Sequence, residues 1–130
     1  EPTLNENLPN DPRDTTTPKA VVDLLDRLWR GEALGAERTA LLVDIMARCA
    51  TGKARLPAGL PPGTRLAHKT GTLRPHVVND AGIVTLPGNA GHVAIVVLVK
   101  EGTLDLAGKE RAIAAVARAV YGHFTSAGGK

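Results

Sequence analysis

The chain has 130 residues, 43% of them hydrophobic and 22% charged, which is enough for one modest globular domain and too balanced for a disordered chain. Its net charge of +3 permits an anionic ligand, but the sixteen Lys and Arg are scattered. One Trp, one Tyr and one Phe offer no platform for stacking bases, so no nucleic-acid partner is expected.

Residues 1 to 17, "EPTLNENLPNDPRDTTT", carry prolines and small polar side chains with no apolar period, the pattern of an irregular, turn-rich loop. Thr17 is a good N-cap and Pro18 suits the first helical position. A helix is predicted from there to about Arg30, with Val21, Leu24, Leu25 and Leu28 on its inner face. A second amphipathic helix is predicted over about 36 to 50, with Leu41, Leu42, Ile45 and Met46 inward and Cys49 as a small buried helix residue. Cys49 is the only cysteine, so neither an internal disulfide nor a cysteine-based metal site can form. His68, His76, His92 and His123 lack metal-ligand spacing, and neither metal nor cofactor is expected.

The Gly- and Pro-rich "TGKARLPAGLPPGTR" then leads into three predicted strands, about 65 to 72, 79 to 86 and 91 to 101. The longest apolar run, "HVAIVVLV", is strand-sized, so no membrane span is expected in this chain. A last helix over about 107 to 124 would bury Ile113, Val116, Ala117, Val120 and Tyr121. Loop, two helices, a three-strand antiparallel meander and a helix make an α+β pattern. Val93 to Val99 is apolar at nearly every position, which suits a strand covered on both faces and flanked by neighbours. One helix cannot cover both faces, which points to a larger core with further strands and helices outside this chain.

The stretch "RLAHKTGTLRPHVVND" holds the chemistry. Lys69 brings a positive charge, Thr70 a hydroxyl that donates or accepts, and Gly71 a place where a ligand can approach the backbone. These residues suit an anionic, peptide-like ligand; taken alone, three residues fit a surface strand whose lysine points into water better.

"HKTGT" followed by "NDAGIV", with the opening "EPTLNENLPNDPRDTTTP", resembles the class A serine β-lactamases and their penicillin-binding-protein relatives. The resemblance covers essentially the whole chain and corresponds to the C-terminal half of that fold. It implies an omega-loop-like segment at 1–17, a helical part of the all-α region at 18–64, and part of the α/β region at 65–130. It also implies that Lys69 and Thr70 hold a β-lactam carboxylate, that Thr72 gives a backbone N–H to the oxyanion, and that Gly71 keeps the strand approachable. Arg55, fourteen residues before Lys69, stands where some members place an arginine reinforcing the carboxylate site. Read without the family, Arg55 is a surface loop arginine; Thr51 belongs to the same cluster. Glu1 matches the glutamate that activates the deacylating water, and Asn5 the asparagine that helps hold it. Pro2, Asp14, Asn79 and Asp80 match structural positions, Asp14 tying down the omega loop.

The family's Ser-x-x-Lys and Ser-Asp-Asn segments are missing, and Ser126, the only serine, is not followed by the needed lysine. The expected partners are therefore a β-lactam or D-Ala-D-Ala-like peptide and an N-terminal complementary half bearing the serine, with the chain alone inactive. The family's members act in the cell envelope or outside the cell. Two other readings are open: a catalytically weak or inactive relative, and a non-enzymatic ligand- or partner-binding domain.

Overall fold

The computed structural model describes residues 15–73 and 77–127. The expected omega-loop positions Glu1, Pro2, Asn5 and Asp14 lie outside them. In chain order the elements are α1 (Pro18–Trp29), α2 (Ala36–Ala47), α3 (Leu56–Gly59), β1 (Leu66–Leu73), β2 (Val77–Thr85), β3 (His92–Lys100) and α4 (Leu106–Ala127). The strands form one antiparallel sheet in the order β1-β2-β3.

α1 begins as its sequence dictates. Thr17 is extended, its hydroxyl accepts the Ala20 N–H at 3.2 Å, and Pro18 fills the first turn, where its missing N–H is no loss. Lys19–Asp23 and Asp26–Arg30 pair across one turn of the exposed face, a contribution of only a few tenths of a kcal/mol each. Thr17→Ala is expected to lower stability by about 1 kcal/mol and the melting temperature by a few degrees. An unchanged melt would show that the cap is not stabilising.

The sheet alternates its side chains between two apolar layers. One face carries Val78, Val84 and Ile95 and packs with Leu56 of α3 and Ile113 and Ala117 of α4. The other carries Ala67 and Ile83 and packs against Leu25 and Leu28 of α1 and Met46 of α2. Helices of this chain thus pack on both faces of the sheet. Along β3 only Ile95 is fully buried, and β3 pairs with β2 alone among the described residues.

Several details differ from the sequence reading. Leu24, Leu41, Ile45 and Val116, expected inward, are exposed. The buried stripe is narrower than the apolar one: Val21, Leu25 and Leu28 follow the seam on α1, and Leu42, Val43 and Met46 on α2, while their apolar neighbours fall on the flanks. α2 ends at Ala47, so half-buried Cys49 lies beyond the helix rather than within it. α3 is a single turn inside the stretch read as loop, started by Pro57 near its N-terminus. β2 begins at Val77, two residues earlier than expected.

Gly82 has a steric reason to lack a side chain. It faces His68 across the β1–β2 register, and a Cβ there would lie 2.7 Å from the His68 Cβ and 2.8 Å from the Ala67 carbonyl.

Candidate functional site

Among the described residues β1 lies at one edge of the sheet, and it carries Lys69, Thr70, Gly71 and Thr72. Strand alternation sends Lys69 and Gly71 to one face and Thr70 and Thr72 to the other. Lys69 and Thr72 are exposed, and Thr70 and Gly71 half-buried. The Lys69 ammonium donates to the Thr70 carbonyl.

Arg55 lies beneath the strand. It is 5% exposed, contrary to the surface-loop reading, because its guanidinium finds an acceptor on every nitrogen. Nε donates to Glu110 Oε1 (3.2 Å), Nη1 to the Gly71 carbonyl (3.1 Å) and the Asn79 carbonyl (2.9 Å), and Nη2 to the Thr72 hydroxyl (2.7 Å). A buried cation is tolerated only when paired in this way. Arginine has no acceptor, so the Thr72 oxygen must receive that bond, and the hydroxyl proton is left to point at another acceptor. The geometry thus makes Arg55 a support for the strand, acting through Gly71 and Thr72.

On the other side of Thr70, the Thr51 hydroxyl lies 2.7 Å from the Thr70 hydroxyl, and Cys49 Sγ lies 3.4 Å from Thr51 Oγ1. Gly52 makes this approach possible. Its φ is +66°, and a Cβ would lie 2.4 Å from Thr70 Cγ2. Gly52→Ala is expected to destabilise the fold by about 1–3 kcal/mol through overpacking as well as backbone strain. Gly88, also at positive φ but with open space around its Cα, supplies the control. If Gly88→Ala lowers the chemical-denaturation midpoint equally, the contact with Thr70 has no weight.

The two structural positions on β2 serve the same strand. Asn79 gives its carbonyl to Arg55 and accepts the Val99 N–H on its side-chain oxygen at 3.0 Å, fastening β2 to β3. Asp80 is fully buried; its carboxyl lies 2.9 Å from His68 Nδ1 and accepts the Leu56 N–H at 3.2 Å.

The fold therefore brings together Lys69, Thr70, Gly71, Thr72, Arg55, Thr51, Asn79 and Asp80. Glu1, Pro2, Asn5 and Asp14 fall outside the described residues. Two residues in the cluster were not singled out from the sequence. Glu110 is a polar position on a helix whose contact with Arg55 spans 55 residues, which no local pattern signals. His68 could have been found, since strand alternation puts this polar residue on the inward face with Leu66. A cleft of ≈ 600 Å³ lined by Cys49, Pro57, Leu60, Leu66 and His68, among others, includes none of Lys69, Thr70, Thr72 and Arg55. Among the described residues no three His, Cys, Asp or Glu side chains gather as a metal site would require, and no helix is long and apolar enough to cross a membrane.

A family model described as "Beta-lactamase enzyme family" matches residues 2–124. A β-lactamase of Mycobacterium tuberculosis is 39% identical over 123 residues, which are 94% of this chain and 40% of that protein. The β-lactamase CTX-M-8 of Citrobacter amalonaticus is 42% identical over 90 residues, 69% of this chain and 31% of that one. Among solved structures, an ancestral class A β-lactamase superposes with a TM-score of 0.82 at 40% identity, over 92% of this chain and 46% of its own. A β-lactamase from Xanthomonas campestris pv. campestris gives 0.84 at 36% identity, over 93% and 45%. The chain spans less than half the length of these relatives.

Proposed function

Since the chain belongs to the beta-lactamase enzyme family, we propose that it is the C-terminal part of a class A serine β-lactamase, completed by an N-terminal half that brings the nucleophile. The serine oxygen attacks the β-lactam carbonyl, the ring C–N bond breaks, and the nitrogen takes up a proton, leaving an acyl-serine ester. Glu1, with Asn5 helping to hold the water, then takes a proton from that water as it attacks the ester, and the serine is released.

In this reading Lys69 and the Thr70 hydroxyl hold the substrate carboxylate. The Thr72 N–H faces the oxyanion, where a donor is worth roughly 3–4 kcal/mol. The Thr72 hydroxyl, its oxygen committed to Arg55, gives its proton to the same carboxylate. The run of Lys69 to Thr72 on one strand, with the Thr72 hydroxyl and the Gly71 carbonyl held by the buried guanidinium of Arg55, carries the proposal. It also implies that the 130 residues alone do not hydrolyse β-lactams, and that the intact protein works in the cell envelope or outside the cell.

Nitrocefin turnover by the intact protein tests this, with mass spectrometry during turnover. Hydrolysis with a transient substrate-mass adduct on a serine outside this chain is the expected result. Absence of both turnover and adduct would overturn it in favour of a non-catalytic relative that binds peptides or partners.

A further inference from the structure

Two buried polar side chains lie on the face of the sheet that also carries Thr70 and Thr72, deeper than either. His68 is 4% exposed and Asp80 is 0% exposed. His68 Nδ1 lies 2.9 Å from one carboxyl oxygen of Asp80 and 3.2 Å from the other, and the second oxygen also accepts the Leu56 N–H at 3.2 Å. Polar groups so deeply buried stay only where their partners satisfy them.

The three groups sit on three segments that each carry a site residue next in sequence. His68 precedes Lys69 on β1. Asp80 follows Asn79 on β2, and Leu56 follows Arg55 at the start of α3. Gly82 leaves room for His68 on the facing strand, since a Cβ there would lie 2.7 Å from the His68 Cβ.

We propose that the His68–Asp80 pair is the positioning device of the anion site: it fixes the Lys69–Thr72 strand and the Arg55 turn relative to one another, so that the carboxylate-binding groups converge. Neither side chain touches the ligand. This rests on the β-lactamase reading above, and it adds a role that the Lys69-Thr70-Gly71 pattern does not imply.

The test uses the intact protein with His68→Ala and His68→Asn. Asn can place an amide N–H where the imidazole Nδ1 now stands; Ala leaves Asp80 short of a partner. The first readout is the ratio of kcat/KM for a β-lactam to that for its methyl ester, which does not depend on how much protein is correctly folded. His68→Ala is expected to reduce this preference for the free carboxylate about tenfold, whereas His68→Asn stays within about threefold of the parent. Equal losses on acid and ester would reduce the pair to a fold element and overturn the proposal.

The second readout needs no catalysis. Amide hydrogen exchange of Leu56 and β1 should speed up together in His68→Ala while α4 amides keep their protection. Uniform or unchanged exchange would overturn the coupling. If the parent protein itself shows no turnover, the catalytic reading fails, and exchange alone then decides whether the pair couples the three segments.

Discussion

Glu1→Gln in the intact protein is expected to lower kcat for β-lactam hydrolysis by about 10²–10⁴-fold, the contribution of a positioned general base. The substitution keeps the side chain's size and its hydrogen-bonding oxygen but removes the proton acceptor. Only the second half of the reaction, release of the acyl group, should need that acceptor. Acylation therefore continues and the variant accumulates as the acyl-serine ester, seen as a stable mass increase equal to the substrate and as a burst of about one equivalent. A variant that turns over at the parent rate would remove Glu1 from the mechanism. One that neither turns over nor acylates would place Glu1 in the first step instead.

Arg55→Ala is expected to be the most destabilising single substitution in the site. Arg55 and Glu110 have side chains only 6% and 20% exposed. Removing the cation leaves the carboxylate, two backbone carbonyls and the Thr72 hydroxyl without the donor they share. Breaking a buried pair from one side costs about 3–5 kcal/mol. Arg55→Lys keeps the charge but has a single ammonium where a planar fork serves four acceptors, so an intermediate loss is expected. Urea unfolding checks the stability, and KM for a carboxylate-bearing β-lactam checks the site. A small loss for Arg55→Ala, under about 1 kcal/mol, would mean that water replaces the guanidinium without penalty.

The parts of the fold governed by local chemistry were legible in the sequence. The Thr17-Pro18 start of α1, the three strands and the last helix follow from capping and periodicity. The depth of each apolar residue was not, because an apolar stripe is wider than the seam it buries: Leu24 and Leu41 look inward by spacing and are exposed. The one-turn helix α3 escaped because four residues are too few to show a period. Lys69, Thr70 and Thr72 could be selected by their chemistry and by resemblance, yet what holds them could not. The bonds from Arg55 to Glu110 and from His68 to Asp80 join residues 55 and 12 positions apart, a pairing that exists only once the sheet has formed.

The meander has a kinetic consequence. β1 pairs with β2 and β2 with β3 in sequence order, and Arg55 reaches Gly71, Thr72 and Asn79 across only 16, 17 and 24 residues. Short loop closures are quick to make. The anion side of the site is therefore expected to assemble early, with only the bond to Glu110, 55 residues away, arriving when α4 docks. Substitutions along β1 and β2 should then slow refolding, whereas those on α4 should mainly speed unfolding.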